Sequence, residues 1–272
     1  MRDDNVCGLT YIGGGDAKFG GTCVKWNIMV HELLHSLMFS HEQSRVDRDK
    51  WVKFPSGCNP DSIDDEKNYI PPEILYDYRS CMHYECDNCL VPSRPGVKGC
   101  GHSTGLGVLD IDKVNAYYNC KGCLGHRWKP GNKIDHGYVG GQDSDGSKSY
   151  VCRAYYMGDI IPGKGVPKNG CWVSYNGGEH KVTDEYEILT NDNNANLKWV
   201  KETGNDKIPA NAIKGGRAEN GDELYIGRCT VSENNKSALV IGKVHLQANK
   251  GASVPYNGKE YLCSSYELLV CQ

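Results

Sequence analysis

The 272-residue chain has no apolar run approaching the roughly 20 residues that span a bilayer as a helix, which excludes a helical membrane span. It has no basic surplus either: 31 Lys and Arg face 34 Asp and Glu, for a net charge of −3. With a pI near 6.3 and both signs interspersed, a footprint for nucleic acid or anionic lipid is excluded. The opening MRDDNVCGLT lacks the apolar stretch of a secretory signal. Cysteine, by contrast, is abundant. Fourteen cysteines, from Cys7 to Cys271, point to disulfides and an oxidising, extracellular setting. The expectation is that a leader was removed or that coding sequence lies upstream of Met1. The sequon Asn235-Lys236-Ser237 fits secretion.

The chain reads as two halves, 1–124 and 125–272. The first mixes one strong helical signal with irregular, cysteine-rich stretches. From Leu124 to Arg127 onward, short apolar runs are punctuated by Gly-Gly, Asp-Gly, Asn-Gly and Pro-Gly pairs, the grammar of strands and tight turns. This half repeats itself with a period of about 75 to 80 residues. RWKPG at Arg127 answers KWVKE at Lys198, and GGQDSDGSKSYVCRA answers GGRAENGDELYIGRC. PGK at Pro162 answers IGK at Ile241, YNGGE at Tyr175 answers YNGKE at Tyr256, and YEIL at Tyr186 answers YELL at Tyr266. One supersecondary unit is duplicated, over about 125–190 and 197–272.

In the first half stands HELLHSLMFSHEQSR, beginning at His31. Residues four apart share a helix face, so His31 and His35 can point at one ion. Val30, Leu33, Leu34 and Leu37 give the helix an expected buried stripe. Glu32 is too close to the pair for a fourth ligand and well placed as a base for an activated water. His41 lies beyond the helix, so the chain must turn back sharply for it to join them.

Histidines at these spacings follow the metzincin signature. More narrowly, HELLHSLMFSHEQSRVDRDKWV, with Glu42, resembles the active-site stretch of the astacin family of zinc endopeptidases. YDYRSCMHY from Tyr76 resembles its Met-turn, and Cys7 and Cys23 resemble the disulfide ahead of the active-site helix. The resemblance covers about residues 6–123. It implies an α+β metzincin-like catalytic fragment, with one Zn2+ per chain held by His31, His35 and His41. It also implies Glu32 as general base, Tyr84 as the tyrosine that swings to the oxyanion, and Met82 packed beneath the metal. His83 reads as structural.

Two departures accompany the resemblance. Met38 stands where the family has the glycine that leaves the helix left-handed, at a cost of roughly 1–2 kcal/mol. Little precedes Cys7, whereas astacin domains carry an amino-terminal subdomain there, with the substrate edge strand. In the family, the glutamate matching Glu42 also contacts the mature amino terminus. VNAYYNC, ending at Cys120, resembles the close of an astacin domain, whose final cysteine bridges to that subdomain. An amino-terminally truncated domain is the expectation, with Cys120 paired to a substitute such as Cys123, left free, or deprived of its partner. The pairs Cys86…Cys89 and Cys120…Cys123 read as disulfide cysteines rather than zinc or redox motifs. Pairings among Cys58, Cys81, Cys86, Cys89 and Cys100 stay open.

The duplicated half resembles the DM-nine repeat family, small β-rich proteins some of which bind mannose-type sugars. The resemblance covers about 125–272 and implies an all-β tandem-repeat domain. Asp143 and Lys164 fall at positions resembling those used for sugar. The second repeat keeps Lys243 but has Ala218, followed by Glu219, where the acid aligns. The sequence thus reads as an extracellular zinc metalloendopeptidase acting on protein or peptide substrates, carrying a lectin-like module for mannose-type glycans. The alternative is a carbohydrate-binding recognition protein with an inactive protease remnant.

Overall fold

The computed structural model describes residues 8–9, 12–14, 18–19, 25–58, 71, 73–101, 105–203, 207–247 and 251–272. Cys7 and Cys23 lie outside them. The chain divides into two compact units, Met1–Pro72 with Tyr76–Lys113, and Glu73–Leu75 with Val114–Gln272.

The first unit is sparse in regular structure. Strands β1 (Gly8–Leu9) and β2 (Lys18–Phe19) pair antiparallel ahead of helix α1 (Trp26–Ser36). Strands β3 (Val52–Lys53) and β4 (Val91–Pro92) form a second small ladder, and α2 spans Val108–Tyr117. Aromatic packing takes the place of a sheet: Trp51 is 1% exposed, stacks on Tyr76 at 5.3 Å and receives the Arg94 guanidinium at 4.6 Å. Cys58–Cys89 and Cys86–Cys100 staple the irregular loops. The expected stripe on α1 is only half right. Val30 and Leu34 are buried, whereas Leu33 is 54% and Leu37 38% exposed. The buried face instead carries Glu32 and His35, so the apolar positions one step round the helix are turned outward.

From Arg127 onward the second unit is built of strands, seven per repeat. The first repeat has β5 (Arg127–Pro130), β6 (Val139–Gln142), β7 (Lys148–Tyr156), β8 (Asp159–Val166), β9 (Gly170–Tyr175), β10 (Gly178–Val182) and β11 (Tyr186–Thr190). The second has β12 (Leu197–Thr203), β13 (Lys214–Arg217), β14 (Glu223–Glu233), β15 (Lys236–Val244), β16 (Ala252–Tyr256), β17 (Lys259–Cys263) and β18 (Ser265–Cys271). The ladders match in order, down to a register shift at Val139/Gly141 in one and Lys214/Gly216 in the other. The repeats also exchange edges: β13 pairs with β8, and reciprocally β6 pairs with β15. This reciprocity makes one sheet system of two units that could not each bury their own faces. The hairpin tips Asn176-Gly177 and Asn257-Gly258 both take positive φ, the type I′ geometry these dipeptides favour.

One triad recurs inside the scaffold. Arg153 bonds Glu187 at 2.6 Å and lies over Trp128 at 4.2 Å; Arg228 bonds Glu267 at 2.7 Å and lies over Trp199 at 4.1 Å. Cys152–Cys171 and Cys229–Cys263 each close within one repeat, and Cys123–Cys271 ties the start of the module to its end. Cys86 and Cys89 are therefore split between different bridges. Cys123 is taken by Cys271, leaving Cys120 a free thiol rather than its partner. Among the described residues no helix is long and apolar enough to cross a membrane.

Candidate metal centre

Helix α1 ends at a position where its own sequence resists ending. Met38 takes φ 72, the left-handed conformation a side chain avoids. Two hydrogen bonds hold it there: Met38 N–H donates to His35 O at 3.0 Å, and Phe39 N–H to Leu34 O at 3.0 Å. This is the Schellman pattern, with Met at the residue usually filled by glycine. Phe39, 4% exposed, anchors the exit, and Gly13 leaves room for the methionine sulfur, which lies 2.7 Å from where a Cβ would stand.

The turn brings His41 back against α1. His31 Nε2 lies 3.1 Å from His35 Nε2 and 3.2 Å from His41 Nε2. His31 Nδ1 donates to Cys81 O at 2.7 Å, and His35 Nδ1 to Phe39 O at 2.8 Å. Because a carbonyl can only accept, each Nδ1 carries a proton, and in a neutral imidazole so held Nε2 presents a bare lone pair. Two lone pairs facing at 3.1 Å repel unless a cation lies among them. A tetrahedral zinc with bonds of about 2.0–2.1 Å sets its nitrogens about 3.3 Å apart, so this donor set fits that ion. Burial first, then the His35 and His31 imidazoles, push His41 down to about 3, keeping it in the neutral form a metal requires.

Around the imidazoles the loop ahead of β4 is held by buried polar groups. Glu42, 1% exposed, donates its N–H to Met82 O at 2.9 Å. Its carboxylate accepts from Arg45 Nη1 at 2.9 Å, Lys113 Nζ at 2.6 Å and Asp77 N–H at 3.0 Å. Met82 is 3% exposed. The Tyr84 ring packs on His41 with centroids 4.4 Å apart, and its backbone N–H donates to Gln43 Oε1 at 3.1 Å. Glu32 is buried on the same helix as the first two histidines. His83 is buried with its Nε2 2.6 Å from Tyr76 Oη, and burial brings it down to about 4. Burial and then the Asp110 carboxylate push the Cys81 thiol well up, which disfavours the thiolate.

In the repeat module, Lys164 Nζ lies 3.3 Å from Asp143 Oδ2 and 3.7 Å from Glu179 Oε1, and 5.7 Å over the Tyr256 ring of the other repeat. Asp143, Lys164, Glu233, Asn234 and Tyr256 line a cavity of about 390 Å³. Lys243 makes the matching set with Glu260 at 3.7 Å and Tyr175 at 5.7 Å. Here Ala218 supplies no acid, and the lysine donates to Ser174 O at 2.7 Å. Glu219, beside it, donates its N–H to Asp159 at 2.7 Å. Sequence reasoning missed Glu179 and Tyr256, although YNGGE and YNGKE carry both. It also missed Lys113, which no local pattern joins to Glu42.

Residues 4–119 match the Astacin peptidase family, and residues 143–261 match the DM9 repeat. The chain is 36% identical over 142 residues to an astacin-like metalloendopeptidase of Coturnix japonica, covering 45% of this chain and 34% of that one. It is 32% identical over 117 residues to zinc metalloproteinase nas-4 of Caenorhabditis elegans, covering 38% and 37%. A solved structure, high choriolytic enzyme 1, a hatching enzyme zinc-protease from Oryzias latipes, matches at 30% identity. That match covers 42% of this chain and 65% of the other, with a TM-score of 0.36. The chain spans about a third of the length of the curated relatives it matches. A segment that matches the Astacin peptidase family is thus followed by a β-rich region that matches the DM9 repeat.

Proposed function

We propose that the chain is the metal-binding part of a zinc metalloendopeptidase that hydrolyses peptide bonds outside the cell, joined to a lectin-like module for mannose-type glycans. The observation that carries the first half is the convergence of the His35 and His41 Nε2 atoms within 3.2 Å of His31 Nε2, with Nδ1 of His31 and of His35 committed to carbonyls. His31, His35 and His41 would hold one zinc ion, which when bound supplies a Lewis acid for the scissile carbonyl and acidifies water. Glu32 takes a proton from the attacking water and returns it to the leaving amine. Tyr84, resting on His41, offers its phenol to the oxyanion. Met82 packs below the imidazoles without ligating.

The experiment is elemental analysis paired with turnover on a denatured protein substrate. One zinc per chain is expected after refolding with excess metal. Glu32→Gln should keep that zinc and lose hydrolysis, while Tyr84→Phe should lower turnover more mildly. Absence of zinc sinks the reading, and undiminished cleavage by Glu32→Gln moves the activity elsewhere. The glycan half is supported by the Asp143–Lys164 pair at the cavity. A glycan array read with wild type and Asp143→Ala tests it; equal signals refute the assignment.

A further inference from the structure

The sequon Asn235-Lys236-Ser237 sits at the tip of the hairpin joining β14 to β15. Asn234 and Asn235 take φ of 51 and 61, a two-residue type I′ turn, and all three sequon residues are exposed. The tip is braced. Glu233 accepts from Asn257 Nδ2 at 2.6 Å and Lys259 Nζ at 2.8 Å, tying it to the next hairpin. Both sequence neighbours of Asn235, Asn234 and Lys236, line the cavity that holds Asp143 and Lys164. We propose that Asn235 is an N-glycosylation acceptor whose oligosaccharide stands at the rim of this cavity and competes with outside sugars for it.

The acceptor chemistry is general. Asn235 Nδ2 forms a bond to the anomeric carbon of a lipid-linked oligosaccharide diphosphate. The bond from that carbon to the diphosphate oxygen breaks, the lipid diphosphate leaves, and Nδ2 gives one proton to a base of the transferase. Ser237 supplies the hydroxyl at the third sequon position. A sugar tethered this close has an effective concentration on the order of millimolar, enough to occupy a weak site of similar dissociation constant. The competition rests on the glycan-binding reading above; the acceptor assignment does not.

The test uses the full chain secreted from eukaryotic cells, weighed intact before and after peptide-N-glycosidase. Wild type should carry an oligosaccharide that Asn235→Asp and Ser237→Ala both lack. The aspartate variant keeps a residue tolerant of positive φ, and the serine variant keeps Asn235 itself. On a surface bearing mannose-type glycan, both variants and the enzymatically stripped protein should bind at least about threefold more tightly than glycosylated wild type. Wild type without added mass overturns the acceptor assignment. Equal binding by all forms, with Asp143→Ala inactive, overturns the competition. No binding by any form overturns the glycan reading and the competition together, and the mass result still decides the acceptor.

Discussion

Removing the ammonium from Lys113 should loosen the turn that carries His41. The Glu42 carboxylate is buried between two cations: Oε2 accepts from Lys113 at 2.6 Å, and Oε1 from Arg45 at 2.9 Å and Asp77 N–H at 3.0 Å. Lys113→Met strips Oε2 of its partner in a site where both side chains are at most 3% exposed. Breaking a buried pair costs about 3–5 kcal/mol. Arg45 stays, but it is already committed to Asp47 through two bonds of 2.8 and 2.9 Å, so its compensation is partial and the lower figure applies. At about 1.4 kcal/mol per decade, 3 kcal/mol is on the order of a hundredfold in the local opening equilibrium. Hydrogen exchange at the Ser44 and Arg45 amides, which bond His41 O and Glu42 O, reads that opening directly. The double variant Lys113→Met with Glu42→Gln removes the stranded charge and should recover at least a decade. Exchange accelerated less than threefold, or a double variant as fast as the single, would refute the reasoning.

Met38→Gly should raise stability by about 0.5–1 kcal/mol, because the roughly 1–2 kcal/mol of left-handed strain exceeds glycine's entropy cost; a lowered thermal midpoint counts against the strain account. Burial holds His83 near 4, so the folded state resists its protonation. Stability from this group is complete above about pH 6.5 and is lost as pH falls toward 4, by about 3 kcal/mol in all. Urea midpoints at pH 7, 5.5 and 4.5 for wild type and His83→Gln check this, the variant showing the flatter profile.

How much of this the sequence disclosed follows from the range of the interactions. The four-residue spacing of His31 and His35 is a property of one helix and can be read locally. The Schellman exit at Met38 is local too, although its residue type argues against it, because the bonds of Met38 and Phe39 run within a single turn. The seven-strand repeat is legible as paired motifs, since a duplicated unit writes itself twice. The exchange of β6 and β13 between repeats is not, because edge pairing depends on how two units face each other. The outward face of Leu33 and Leu37 escapes the sequence pattern for a related reason. Periodicity marks an apolar face but not what stands against it, and here the buried face of α1 is spent on Glu32 and His35. Disulfide partners separated by 31 or 148 residues carry no local mark at all.

The duplicated module separates what the scaffold requires from what a ligand can use. Both repeats retain an arginine lying over a tryptophan and bonded to a glutamate, Arg153 with Trp128 and Glu187, Arg228 with Trp199 and Glu267. The Arg153–Glu187 pair, 0% and 2% exposed, cannot lose one member without a cost of several kcal/mol; Arg228 and Glu267, 17% and 27% exposed, are bound by a weaker version of the same constraint. The lysine sites obey a weaker rule. Lys164 and Lys243 each meet the glutamate of their own repeat and the tyrosine of the other. Their further partners differ: Lys164 faces the half-exposed Asp143 at the cavity, whereas Lys243 satisfies itself on Ser174 O. A lysine bonded to a carbonyl is content without ligand, while one whose carboxylate partner opens to solvent leaves donors and acceptors for adjacent hydroxyls. Under the proposed glycan reading, Ala218 would leave the second repeat without the acid that Asp143 supplies in the first, so the symmetric duplication would offer a single binding face.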